Sequence, residues 1–294
     1  MHVLLSKSTI MRIVKITTFG TMVVFATVLL FAACKRDNNN NLTTTADEDT
    51  YYAEDQARTD QAYNDAENIA DQAADNNAVE FKGDADATVL GGCATVTRDT
   101  TVTPHKITID FGSTNCKCKD GRYRRGKVIV TYSGKYRDSG SFHTIGFDGF
   151  FVNDNQVLGT KTVTNKGKNS SSQSYFDITV DGMIVLNSTG DTIKHQAKRT
   201  RTWIAGEGTL MISDDQYSIT GSGVNTRASG KSVTHNISNP LIVAMNCNWI
   251  KQGTIEFTPA GATVVKRTID FGSGTCDDQA TVTVGTKTKT ITLK

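Results

Sequence analysis

The sequence predicts an all-β protein, an antiparallel meander forming a sandwich or a curved, barrel-like sheet, preceded by one N-terminal helix. Three observations lead there. After residue 87 the chain runs in short alternating stretches such as KVIVTYSGKYR at 127–137, YFDITVDGMIVL at 175–186 and QYSITGSGV at 216–224. A period of two in Thr, Val, Ile and Tyr marks half-buried strands. The links VNDNQ, NSTGD, ISDDQ and RASGK supply Asn, Asp and Gly, which accept the positive φ of hairpin turns. Residues 47–77, in contrast, hold no Gly, no Pro and no β-branched run, and Ala and acids dominate them. With 294 residues, 37% of them apolar, the chain is long enough to bury a real core.

The first element is residues 1–33. Arg12 and Lys15 precede an apolar run, Phe19 to Ala33, that ends FAAC. This is the pattern of a lipoprotein signal peptide: a basic start, an apolar stretch, then small residues before the cysteine that takes the lipid. The run is also short against the roughly 20 residues of a membrane-spanning helix. Cys34 is therefore the expected lipidation site and the expected contact with the membrane, several acyl chains giving a stable anchor. Location follows as the outer membrane. Asp37 is the only acid close to Cys34, which leaves the periplasmic and cell-surface faces both open. Residues 34–50, beginning KRDNNNNLTTT after the cysteine, are polar and without apolar periodicity, and predict a flexible tether.

A helix is expected over 51–80. Tyr52, Thr59, Ala62, Ala66, Ile69 and Ala73 fall near helical spacing on one weakly apolar face. Such a face buries little area, so the helix is expected to lie against another surface. Charge points to which one. Residues 47–86 carry 13 acids against Arg58 and Lys82, a net of −11, while residues 87–294 carry 25 Lys and Arg against 16 acids, a net of +9. Opposite charge predicts docking of the helix onto the β domain, with a solvated acidic spacer as the alternative.

The β domain, 87–294, contains two related units at 93–137 and 247–294. TIDFGSTNC at 108–116 returns as TIDFGSGTC at 268–276, and each copy has an upstream cysteine, Cys93 or Cys247. In an oxidising compartment these read as the disulfides Cys93–Cys116 and Cys247–Cys276. Cys118 has no counterpart in the second copy and is either a free thiol or the replacement for Cys116. No Cys or His stands at ligand spacing from the pair Cys116 and Cys118, and no metal or cofactor is expected.

The ordered series TIDFGSTNCKCKDGRYRRGKVIVTYSGKYR, FDGFFVNDNQVLGTKTVTN, RTRTWIAG, CNWIKQGTIEFTP and RTIDFGSGTCDDQATVTV resembles an uncharacterised family of predicted Bacteroidota lipoproteins. The resemblance covers most of the chain after residue 50. It implies an envelope lipoprotein with a β-rich body and carries over no catalytic residue.

Candidate chemistry is sparse. The histidines His105, His143, His195 and His235 are scattered and form no metal-binding pair, so each is expected on a strand surface. Asp110 and Asp270 occupy equivalent positions in the two copies, where a carboxylate pair serves acid and base chemistry if the two groups meet; Asp before Gly-Ser more commonly binds its own turn. Two basic clusters stand out: Arg122, Arg124 and Arg125 with Lys127, and Arg199 and Arg201 leading to Trp203. Alternation puts Arg199, Arg201 and Trp203 on one face, which reads either as a solvated sheet face with Arg stems covering apolar neighbours or as a candidate anion site in which a cation adjoins an aromatic ring. The expectation is thus a non-enzymatic binding or structural lipoprotein engaging an anionic glycan or lipopolysaccharide, with no nucleic-acid partner. A carrier of apolar or lipid cargo is the alternative, and an enzyme using Asp110 and Asp270 the third.

Overall fold

The computed structural model describes residues 40–74, 90–209, 211–261 and 265–293. The expected signal peptide and Cys34 lie outside them, as do residues 75–80 at the end of the expected helix.

The helix, α1, spans Asn40–Ala74. It therefore begins well inside the segment expected to be a tether: the polar run at 40–50 has no Gly or Pro to stop a helix. Among the described residues fourteen strands follow: β1 (Thr95–Asp99), β2 (His105–Asp110), β3 (Cys116–Lys117), β4 (Tyr123–Tyr132), β5 (Phe142–Val152), β6 (Asn155–Lys168) and β7 (Ser174–Val185), then β8 (Thr192–Ala205), β9 (Gln216–Arg227), β10 (Ser232–Ala244), β11 (Gln252–Pro259), β12 (Arg267–Ser273), β13 (Gln279–Val284) and β14 (Lys287–Thr292). They form one antiparallel meander in chain order, with the short β3 paired to the start of β4. The sheet curves around the helix and does not close into a barrel. Of the predicted links, Asn153 and Asp154 turn β5 into β6 with positive φ, whereas ISDDQ contains a single 3-10 turn, Ile212–Asp214. No helix among the described residues is long and apolar enough to cross a membrane.

The inner face of the sheet is filled by α1. Its C-terminal half, through Tyr63, Ala66, Ile69, Ala70 and Ala73, packs with Ile107, Ile109, Val128, Ile145, Val163, Phe176 and Ile178 from β2 to β7. Its N-terminal half, through Tyr52, Ala53 and Ala57, joins Ile219, Leu241, Ile255, Phe257, Ile269 and Val282 from β9 to β13. Only a narrow stripe that includes Tyr51, Glu54, Arg58, Ala62, Asn68 and Gln72 is partly accessible, at the three- and four-residue spacing of one helix face. The weak amphipathicity of α1 now has a cause. From Thr50 onward the helix is enclosed on most sides and has no single apolar face to show, and Asp55, Asp60, Asp65 and Glu67 point inward because cations meet them there.

Two glycines make the wrapping possible. Gly126 adopts φ +82°, and a side chain there would run into the backbone of Gly149 on β5; the register of β4 against β5 shifts at this point, a bulge that bends the sheet. Gly182 on β7 leaves the space that the Tyr63 ring fills, where the Tyr63 hydroxyl donates to the Leu158 carbonyl at 2.8 Å.

The structure pairs Cys93 with Cys116 and Cys247 with Cys276 in disulfides, with Cα separations of 5.7 and 5.8 Å. Each ties together one end of the meander. Cys118 is a buried free thiol, and burial raises its pKa.

Candidate functional site

Alternation along the strands decides which side chains meet the helix. On β8, Ile193, His195, Ala197, Arg199, Arg201 and Trp203 all point inward, and β6 adds Lys161, β9 adds Arg227 and β4 adds Arg124. The helix answers each cation. Asp55 takes both sides of the Arg227 guanidinium, with Nε donating at 2.6 Å. Asp60 accepts from Arg199 at 2.7 Å, and Asp65 accepts from Arg122 at 2.9 Å and Arg124 at 2.7 Å. Glu67 pairs with Lys161 and Arg201, both at 2.5 Å.

The basic clusters are thus interior, and this corrects the expected solvent-facing patch. Arg124 has no exposed surface, and Asp65 and Asp120 together hold its guanidinium. The charges of Arg122, Arg124, Arg199 and Arg201 are taken by the chain's own carboxylates. Trp203 is buried, its indole N–H donates to Asp215 at 3.2 Å, and the cation over its ring is Arg137 rather than Arg199 or Arg201. Arg125 and Lys127 stay partly exposed, Arg125 paired with Asp154 and stacked 3.8 Å over Phe151, Lys127 3.4 Å from Asp110.

The histidines also differ from expectation. His143, His195 and His235 are buried rather than surface residues. His195 stacks between Tyr63 and His235, at centroid distances of 5.6 and 5.5 Å. Its Nδ1 lies 2.6 Å from Asn225 Oδ1, and Arg199 donates to His235 Nε2 at 3.2 Å, which fixes His235 as the neutral acceptor. Burial lowers all three, His143 and His195 to about 4 and His235 to about 3. Asp110 and Asp270 do not meet in a site. They sit on β2 and β12, and each accepts a hydrogen bond of 2.8 Å from the glycine of its own turn, Gly112 or Gly272.

What the sequence did not indicate is a cleft of about 410 Å³ at the C-terminal end of α1. Ile107, Val130, Tyr132, Tyr136 and Phe142 supply apolar and aromatic walls, Asp71 and His143 the inner polar groups, and Arg98, His105 and Lys135 further polar side chains. Arg98 is fixed by a 2.5 Å hydrogen bond to the Ala73 carbonyl. The two inner carboxylates are pushed apart in acidity. Burial raises Asp71 to about 7, with the Glu67 charge adding to the rise and Arg201 opposing it. Burial would raise Glu67 as well, but Arg201, Lys161 and His143 bring it down to about 2.

Glu67, Asp71 and His143 bring one donor atom each within 4.8 Å of one another, a set of metal-ligand type. The surrounding charge does not fit a cation. Lys161 and Arg201 already lie against the Glu67 oxygens, and Arg201 comes within 3.6 Å of Asp71, so a metal ion would face two positive charges at close range. No protein-family model matches the chain, and no curated protein and no solved structure matches it either.

Proposed function

We propose that the chain is a lipid-anchored lipoprotein of the outer membrane with a non-enzymatic binding role, and that the cleft at the end of α1 takes an acidic envelope glycan. The cleft itself carries this reading. Its size lies within the range of small-molecule sites, with apolar walls and a few convergent polar groups, and its rings Tyr132, Tyr136 and Phe142 offer flat faces for sugar C–H groups. Lys135 and Arg98 provide cations for an acid group. The anionic partner expected from the basic clusters is thereby moved from the interior arginines to this cleft. The lipid anchor rests on the signal pattern before Cys34, and the two disulfides agree with an oxidising compartment outside the cytoplasm.

Two measurements test the proposal. Cells fed labelled palmitate are expected to incorporate label into the wild-type protein and not into Cys34→Ser; equal labelling of both would remove the anchor. For the cleft, calorimetric titration with the acidic polysaccharide of a Gram-negative envelope is expected to show binding that weakens about tenfold or more in Tyr132→Ala/Phe142→Ala, the loss typical of truncating aromatic anchors. Unchanged affinity in that variant, with its thermal melt intact, would overturn the site.

A further inference from the structure

A second cleft lies on the accessible stripe of α1, and it holds the one helix cation that the sheet does not answer. Arg58 is half-buried, its Nε is enclosed without a hydrogen-bond partner, and it forms no ion pair with any described residue. This sets it apart from the inward cations. Arg122, Arg124, Lys161, Arg199, Arg201 and Arg227 each hold a carboxylate. A donor enclosed without a partner is unfavourable unless something arrives to accept from it.

Arg58 opens onto a space of about 420 Å³ walled by Ala62, Val157, Ile184, Leu293 and the Trp249 ring. Asp65 and Asp120 also border it, but their charge is consumed by Arg122 and Arg124. Arg122 is held by these carboxylates, so Arg58 is the cation on the cleft wall that no ion pair among the described residues takes up. Arg58 and Leu293 also border an adjoining hollow of about 230 Å³ that adds Glu54 and Lys289, one charge of each sign. A guanidinium at the edge of an aliphatic wall presents a planar fork of donors to a carboxylate.

We propose that this cleft binds a small organic anion, a carboxylate on an aliphatic body, with Arg58 on the charged head and the Ala62, Ile184 and Leu293 wall on the tail. The site is separate from the glycan cleft, and neither depends on the other.

The test is calorimetric titration of the full chain with decanoate at pH 7.5, beside decanol as the uncharged counterpart. Wild-type protein is expected to bind one decanoate, with a change in Trp249 fluorescence that Trp249→Phe abolishes. Arg58→Gln is expected to weaken binding about tenfold or more, the usual loss when a hydrogen-bonded charge is removed. Arg58→Lys is expected to retain part of the affinity, and Tyr132→Ala/Phe142→Ala all of it. If Arg58→Gln fails to fold, the comparison of decanoate with decanol on wild-type protein still decides. Equal affinity for both, no binding of decanoate at millimolar concentration, or unchanged affinity in a folded Arg58→Gln would overturn the proposal.

Discussion

A chain beginning at residue 90 is expected to lose the native fold. Without α1 the sheet exposes the apolar inner face described above, and six cations, Arg122, Arg124, Lys161, Arg199, Arg201 and Arg227, lose their helix carboxylates. Breaking one buried pair by removing a single partner costs about 3 to 5 kcal/mol, and a whole domain holds only about 5 to 15 kcal/mol. A few such losses are enough. The graded form of the experiment is Asp65→Ala, which leaves Arg124 fully buried with Asp120 as its remaining carboxylate; urea unfolding is expected to show a loss of about 3 to 5 kcal/mol. Circular dichroism of the truncated chain checks the larger claim. A native-like thermal transition without α1 would mean that the sheet stands alone and that the helix is an accessory.

Stability is expected to fall as the medium is acidified from pH 7.5 to 5. His143, His195 and His235 have folded pKa values of about 4, 4 and 3, below the ordinary 6.5. The unfolded chain therefore binds more protons than the native one between those limits. Their contribution is complete above pH 6.5 and is lost as the pH falls toward 4. Burial would raise Asp60 and Glu67, but neighbouring cations bring both below the usual carboxylate range, so they act in the same direction at still lower pH. Asp71 and Asp215 oppose, and burial raises Asp55 in the same sense. Burial holds Asp71 and Asp215 up at about 7 and 6, so their contribution favours the native state at low pH and is lost as the pH rises through those values. Three histidines held neutral far below their ordinary range outweigh these carboxyls, so stability falls between pH 7.5 and 5. Urea midpoints measured across that range check the sign. Stability that stays flat or rises on acidification would show that the histidines are not held neutral.

Much of this architecture was legible in the residues. Alternation and turn chemistry identified the meander, the charge asymmetry identified helix docking, and the doubled TIDFGS segment with its upstream cysteines identified both disulfides. Alternation also placed Arg199, Arg201 and Trp203 on one face. It cannot say whether that face is the inner or the outer one, because a period of two is symmetric about the sheet. Arginine and histidine default to the outside unless paired, and their partners here lie on α1, as far away in sequence as Asp55 is from Arg227. The helix start was missed because the polar residues at 40–50 lack the apolar spacing by which a helix is recognised. The cleft at the end of α1 draws Arg98 from β1, Tyr132 from β4, and Phe142 and His143 from β5, and no local pattern joins the three strands.

The enclosed helix sets an order of events in time. As the chain is made from its N-terminus, α1 precedes every strand, and its acids wait for partners made much later: Asp60 for Arg199, 139 residues on, and Asp55 for Arg227, 172 residues on. Until β9 arrives the helix has nowhere to dock along its full length. Its many carboxylates and few large apolar side chains let it wait in water, where a strongly apolar helix would aggregate or dock elsewhere. Contacts this distant close slowly, so the fold is completed only after most of the sheet exists, and the helix made before every strand is among the last elements to settle.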